Sequence, residues 1–453
     1  MKRHSHWKVF TIVACMLLSL SACAPIISGE KPLSRWEPEM RGEVSEQVAG
    51  NRSPELLVFL AFSGGGTRAA AFAYGVLQEL ARTEVVTDKG ARPLIREVDV
   101  ISSVSGGSFT AAYFGLFGDR IFEDFEQRFL RRNVEGALFL QLFNPANWFR
   151  LMTTAFGRGD MAARYYGKTI FDDATFSDLK RPEAPLLVIN STDLPDGVRI
   201  PFTDWMFDIL CVDLDSFPVS RAVAASSAVP VLFSPILLKN HAGNCGFQPP
   251  PWLLEAAKEE KSTLRRVNAK ALLNFADSKT RPWLHLVDGG VSDNLGLRSI
   301  FTTTKLVGNP QKAFSEFGHP GVRQVIIIAV NAHAATTPKW AFEMAMPGIA
   351  EVISSMSSDQ IDQYSADTLE AVRLTFESWA EKASTPQHPV DFHFVEVNFE
   401  KAVDEAERDF LNGIGTNFSL SGEEVDHLIS AGGDILRRSE EFNAFLEANR
   451  KRP

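Results

Sequence analysis

The feature that most restricts what this chain can fold into is LLVFLAF at residues 56–62. It runs without a polar break into Ser63, Gly64, Gly65 and Gly66, and from there into TRAAAFAYGVLQELAR. Seven consecutive apolar residues ending at a turn read as a strand buried on both faces, because a half-solvated strand would alternate. The segment from Thr67 is rich in helix formers and spaces its apolar residues for one helix face. The theme of strand, turn and helix returns at EVDVIS (97–102), Val104-Ser105-Gly106-Gly107 and FTAAYFGLF. Further buried strands read at PLLVIN (185–190), LHLV (284–287), QVIIIAV (324–330) and FHFVEV (392–397). Alternating strands and helices predict an α/β fold: a mostly parallel sheet flanked by helices, with helical insertions. Residues 348–383 and 420–448 read as long helices.

Composition removes several function classes. With 453 residues, 45% hydrophobic and 23% charged, the chain sits at the globular average, which excludes disordered, collagenous and coiled-coil readings. A formal charge of −10 with no basic stripe argues against nucleic acid as a partner. The 34 Phe residues suit a large apolar core and apolar surface facing lipid. Cys15, Cys23, Cys211 and Cys245 show no C-x-x-C spacing, so neither zinc nor any other metal or cofactor is expected.

Lys2, Arg3 and Lys8 precede an apolar run from Val9 to Leu20 that is too short to span a membrane, the pattern of a secretory signal. The run ends in Leu20-Ser21-Ala22-Cys23, which resembles the lipobox of bacterial lipoproteins. The resemblance implies that residues 1–22 are a signal peptide and that Cys23 carries lipid; an ordinary cleavage site is the alternative. Ala24, rather than Asp, implies sorting to the outer membrane. The expected location is the bacterial cell envelope, lipid-anchored and facing the periplasm. Residues 23–54, polar and containing Pro25, Gly29, Pro32 and Pro38, read as a lipid-anchored tether, and 55–448 as the catalytic domain. Because the body is acidic, membrane contact should rest on the anchor and on apolar surface. Two insertions interrupt the pattern. Residues 136–166, with Leu138, Phe139, Leu140, Phe143, Trp148, Phe149, Leu151 and Met152, read as a lid or lipid-facing patch, or else a core helix pair. Residues 240–283 read as a surface excursion.

Three motifs carry chemistry. Gly64-Gly65-Gly66-Thr67-Arg68 joins a strand to a helix, where free backbone N–H groups and the helix dipole attract negative charge. A phosphate cradle and an oxyanion hole both use that arrangement, and tight strand-to-helix packing is the bland alternative. The absence of G-K-[ST] disfavours a nucleotide loop. Ser103-Val104-Ser105-Gly106-Gly107 approximates the nucleophile elbow G-x-S-x-G between strand and helix. Among Ser102, Ser103, Ser105 and Ser108, only Ser105 has the strand before it and two glycines directly after it, although a serine there can also serve as an N-cap. Asp288 ends the strand LHLV and is followed by Gly289 and Gly290, placing a base at a strand end. His285 lies three residues earlier, so its side chain should point to the opposite face. Asp293 is a second carboxylate candidate, more naturally read as a turn or cap residue.

These motifs, in this order and rough spacing, resemble those of the patatin-like phospholipase family. VSRAVAASSAVPVLFSPILL (219–238) is similar to the family's stretch between elbow and aspartate, so the resemblance covers most of residues 55–335 and only loosely the rest. It implies a patatin-like fold, Ser105 as nucleophile and Asp288 as base of a Ser-Asp dyad. Gly65 and Gly66, with Gly64, Thr67 and Arg68 of the same turn, would form the oxyanion hole, and Ser103 and Gly107 would frame the elbow. The chain departs from the pattern at Ser103, where glycine is usual, and at Ala69, where glycine often follows the basic residue. The implied reaction is hydrolysis of (phospho)lipid acyl esters, with membrane lipid as substrate; nothing identifies a protein partner. An aspartate of ordinary pKa near 3.9 would be ionised at neutral pH and a weak base. Two other classes compete. A Ser-His-Asp α/β-hydrolase could draw on His319, His333, His388, His393 or His427, and a non-catalytic lipid-binding lipoprotein would need none of these groups. Cys211 and Cys245 are expected to pair in an oxidising periplasm, the alternative being two buried free thiols.

Overall fold

In the computed structural model, the described residues are 30–37, 51–144 and 156–451, apart from 231, 262, 308–313, 316–317, 335–338, 343 and 345. The signal segment 1–22, Cys23, and Trp148, Phe149, Leu151 and Met152 of the apolar insertion lie outside them.

The run Leu56–Phe62 is a strand, β1, and its residues alternate between two cores. Leu56, Val58, Leu60 and Phe62 enter one apolar cluster, and Leu57, Phe59 and Ala61 enter the other. Helix α1 (Gly66–Arg82) follows, and then a small hairpin of β2 (Glu84–Thr87) and β3 (Gly90–Pro93). Next come β4 (Val98–Val104), α2 (Ser105–Phe117), α3 (Val134–Leu142), α4 (Arg158–Thr169), β5 (Leu186–Asp193) and β6 (Val198–Phe202). The chain continues through α5 (Val219–Ser226), β7 (Ile236–Lys239), α6 (Pro251–Lys258), α7 (Leu264–Phe275) and β8 (Trp283–Asp288). It ends with β9 (Gln324–Asn331), α8 (Ile349–Ala383), β10 (Asp391–Asn398), α9 (Gly422–Arg438) and α10 (Glu440–Arg450).

The main sheet has the order β10, β9, β1, β4, β5, β8, β7, with β6 beside β5. From β10 to β5 every pairing is parallel. β6 and β8 run antiparallel to β5, and β7 antiparallel to β8. Helices cover both faces: Ala70, Phe109, Ala222 and Leu428 join the first cluster, and Val372, Phe376 and Trp379 of α8 join the second. The mostly parallel α/β sheet expected from the sequence is therefore present, but the strand carrying Asp288 runs against its neighbour.

Other segments differ from the sequence reading. Residues 420–448 are two helices, because Ser439 has extended backbone and its hydroxyl accepts the Phe442 N–H as the cap of α10. Within 23–54, the described residues lie against the body. The Leu33 and Trp36 N–H groups donate to the Cys211 and Cys245 carbonyls (both 2.8 Å), and those two cysteines form a disulfide with 5.5 Å between Cα atoms. The Glu30 carboxylate accepts from Arg221 Nη1 and the Lys239 N–H, both at 2.8 Å. Arg52 is buried against Asp99. In 240–283, Leu253, Ala256, Ala269 and Phe275 of α6 and α7 turn into the main cluster while their outer faces meet solvent.

Candidate active site

β4 runs into α2 through Ser105, which has φ 47°. A non-glycine residue in the left-handed region needs surrounding structure to hold it, and here that structure is specific. The Ser105 N–H donates to Ser226 Oγ (2.8 Å), and the Ser226 hydroxyl donates to the Asn190 carbonyl (2.6 Å). Asn190 Nδ2 donates to the Ser103 carbonyl (3.0 Å). Gly107 donates its N–H to the Ser63 carbonyl (3.2 Å), locking the elbow to the end of β1. Ser103 is fully buried in β4, opposite Phe62 and Ile189. The rival serines have structural partners: Ser102 donates to the Gly296 carbonyl (2.5 Å), and Ser108 shares a bond with Ser226 (3.1 Å).

The strained elbow aims Ser105 Oγ at Asp288, whose Oδ2 accepts its hydrogen bond at 2.7 Å. Asp288 Oδ1 accepts the Gly290 N–H at 2.8 Å. The backbone around the carboxylate is fixed on all sides. The Asp288 N–H meets the Ala228 carbonyl, the Gly289 N–H meets that of Ser226, and Thr192 Oγ1 donates to the Asp288 carbonyl, each at 3.0 Å. Burial pushes the Asp288 carboxyl up to about 6, with the Gly290 amide and the Ser105 hydroxyl pulling the other way. The carboxyl thus lies above the ordinary value near 3.9 used in reading the sequence, yet is still mostly ionised at pH 7. His285 has an exposed ring on the opposite face of β8, and its backbone N–H donates to Asp193. Asp293 caps a turn by accepting the Arg298 N–H at 2.8 Å.

The glycine turn lies beside the elbow because β1 and β4 are neighbours. A Cβ on Gly106 would come within 1.9 Å of the Gly66 carbonyl oxygen, so the two backbones touch in a way no side chain allows. Five residues of the turn were expected to supply an oxyanion hole, and they divide. The Gly64 amide is occupied by the Asn294 carbonyl and the Thr67 amide by the Asn417 carbonyl, both at 2.9 Å. Neither is free to donate to a ligand. The amides of Gly65, Gly66 and Gly106 have no acceptor among the described residues. Gly106 was legible as the residue after the nucleophile, a position that commonly supplies such a donor. Arg68 is buried; its Nη1 donates to the Ile414 carbonyl (2.5 Å) and its Nε has no partner among the described residues. Desolvation lowers it to about 10, which leaves it charged at neutral pH. Ser226 and Asn294 were missed by sequence reasoning, since their roles depend on contacts with distant segments.

The downstream histidines are engaged elsewhere. His319 lies against Pro54 and Asp99, His333 against Asp362, His388 against the Val322 carbonyl, His427 against Glu407, and the His393 ring against Phe445. A mostly parallel sheet bearing a serine at a strand-to-helix elbow is a layout that acyl hydrolases use. The family model described as Patatin-like phospholipase matches residues 60–301, and the chain belongs to that family, a lipid acyl hydrolase by membership. Among solved structures, human GIVD cytosolic phospholipase A2 aligns with a TM-score of 0.44 at 12% identity, covering 93% of this chain and 68% of that one. The same human enzyme in complex with methyl gamma-linolenyl fluorophosphonate aligns with a TM-score of 0.44 at 14% identity, covering 94% of this chain and 66% of that one. No curated protein matches the sequence.

Proposed function

We propose that the protein hydrolyses acyl esters of membrane (phospho)lipids through a covalent intermediate on Ser105. The observation that carries this reading is the 2.7 Å hydrogen bond from the elbow serine to a buried aspartate. As Ser105 Oγ attacks the ester carbonyl carbon, Asp288 takes the hydroxyl proton. The negative charge moves to the carbonyl oxygen, which the Gly65, Gly66 and Gly106 amides stabilise, with Arg68 adding positive field behind the turn. Collapse breaks the ester C–O bond, and the departing alcohol takes the proton back from Asp288. Water, deprotonated by Asp288, then attacks the acyl-serine, releasing a fatty acid and regenerating the hydroxyl. An aspartate base with one proton to return suits an alkoxide leaving group better than the amine of a peptide. In this reading Cys23 bears lipid and holds the enzyme on the periplasmic face of the outer membrane, next to its substrate.

Mass spectrometry of lipids incubated with wild type and Ser105→Ala tests the reaction: fatty acid and deacylated lipid should accumulate only with wild type. A fluorophosphonate probe should label wild type and not Ser105→Ala. Labelling that persists in Ser105→Ala would refute the nucleophile. Cys23→Ser should leave the protein unprocessed or released from membranes, and unchanged processing together with unchanged retention would refute the anchor.

A further inference from the structure

The chemistry above leaves the apolar helix α3 unused. Val134 (0% exposed) and Leu138 (6%) face the core, whereas Phe139, Leu140 and Phe143 are 59%, 70% and 62% exposed. The Phe139 and Phe143 rings, one helical turn apart, meet edge to face at 5.2 Å in open solvent. A surface helix normally keeps its outer face polar, and a contiguous exposed apolar patch marks a surface made to be covered.

Two placements identify the cover. The amino end of α3 hangs on the loop behind the glycine turn: the Val134 and Glu135 N–H groups donate to the Phe418 carbonyl (3.2 and 3.4 Å), and the adjacent Asn417 carbonyl holds the Thr67 N–H. The second placement is that of residues 30–37, the described stretch just after Cys23. Glu30 is fixed to Arg221 on α5, the helix whose last residue, Ser226, supports the elbow. Arg221 Nη2 also faces Asp160 (3.5 Å) in the first turn of α4, the helix against which α3 packs. Seven peptide units separate Cys23 from Glu30 and reach at most about 25 Å when extended. A lipid on Cys23 therefore keeps this side of the molecule within about 25 Å of the membrane.

We propose that Phe139, Leu140 and Phe143 insert into the lipid surface and seat the active-site edge on the bilayer. This inference rests on the lipid-ester reading and on lipidation of Cys23. Mature lipoprotein reconstituted in phosphatidylcholine vesicles tests it, with an environment-sensitive fluorophore attached at Phe139→Cys or, as a control, at Val86→Cys. Val86 sits in the hairpin that follows α1, a helix about 25 Å long that starts at the glycine turn, and it is itself exposed. The unsubstituted chain serves as blank. The fluorophore at Phe139→Cys should shift to the blue and be quenched by brominated lipid, while that at Val86→Cys should not. The double variant Phe139→Ser/Phe143→Ser should keep its turnover of a soluble nitrophenyl ester within about twofold and lose at least tenfold on vesicle lipid. Equal quenching at both positions, or quenching at neither, overturns the proposal. So does a dimer in sedimentation that the double variant dissolves, because a second copy would then be the cover. Quenching confined to Phe139→Cys in a protein that hydrolyses neither substrate would uphold the inserting face and sink the hydrolase reading instead.

Discussion

Replacing Asp288 by asparagine should inactivate the enzyme and at the same time stabilise it, with a gain that grows between about pH 4 and pH 6. Burial raises this carboxyl from 3.8 to about 6, so the folded protein holds a proton that the unfolded chain has already released. Below pH 4 both states are protonated and folding carries no cost from this group. Through the window from 4 to 6 only the unfolded chain ionises, the native state binds more protons, and stability falls as pH rises. Above 6 both are ionised, and the full cost, about two pKa units at 1.36 kcal/mol each, is about 3 kcal/mol. Asparagine keeps the shape, can accept the Gly290 N–H and can donate to Ser105 Oγ, but it has no charge to desolvate.

Urea denaturation of wild type and Asp288→Asn at half-unit intervals from pH 4 to 8 measures the difference directly, since every other ionisable group is common to both. The curves should meet near pH 4 and separate to about 3 kcal/mol by pH 7. If Asp288 is the base, as proposed, turnover by wild type should follow the same group, falling about tenfold from pH 7 to pH 5, because in that mechanism only the ionised carboxylate takes the serine proton. A stability difference that does not change with pH, or a turnover profile whose acid limb lies near pH 4, would refute the argument that burial of Asp288 sets the strength of the base.

Ser226→Ala removes both the acceptor for the Ser105 N–H and the donor to the Asn190 carbonyl. It should lower kcat about tenfold with KM little changed and cost about 1–3 kcal/mol of stability, read from a pH 7 ester assay and a melt. Gly106→Ala would place a methyl carbon 1.9 Å from the Gly66 carbonyl oxygen, so the folded fraction should fail to react with a fluorophosphonate even though Ser105 and Asp288 are intact. Cys211→Ser opens a loop of sequence separation 34 and should destabilise by about 4 kcal/mol, and it should also loosen Leu33 and Trp36. Faster proteolysis in residues 30–37 would report that loosening.

How much of this was legible in the sequence depended on whether the information was local. β1 was readable to the residue, because a strand buried on both faces has no polar position to blur its ends. Ser105 and Asp288 stood out because each is flanked by glycines that the backbone needs. Strands β6 and β7 and the hairpin β2 and β3 were not read, being short and partly solvated. The split of Gly64 and Thr67 from Gly65 and Gly66 could not be read at all. Nothing in the turn Gly64–Arg68 reveals that Asn294 and Asn417, both more than 200 residues downstream, will occupy the amides of Gly64 and Thr67. The docking of residues 30–37 was hidden for the same reason: Glu30 looks like a solvated charge until Arg221 is placed beside it.

The strand-end rule pointed to Asp288, but this residue does not sit where the rule usually places a side chain. At the end of a parallel strand a side chain stands at the carboxyl rim of the sheet, where water reaches it. β8 instead enters from beyond that rim and pairs with β5 only through Leu286, Val287 and Asp288, opposite Asp193, Thr192 and Ser191. Its last residue therefore lies two positions inside the rim, level with the elbow and under the end of α5. That inward step buries the carboxylate, and burial is the largest cause of its raised pKa. The antiparallel strand and the raised pKa of Asp288 are thus one fact: a parallel β8 would offer Ser105 a better-solvated aspartate of lower pKa, and in the proposed mechanism a weaker base.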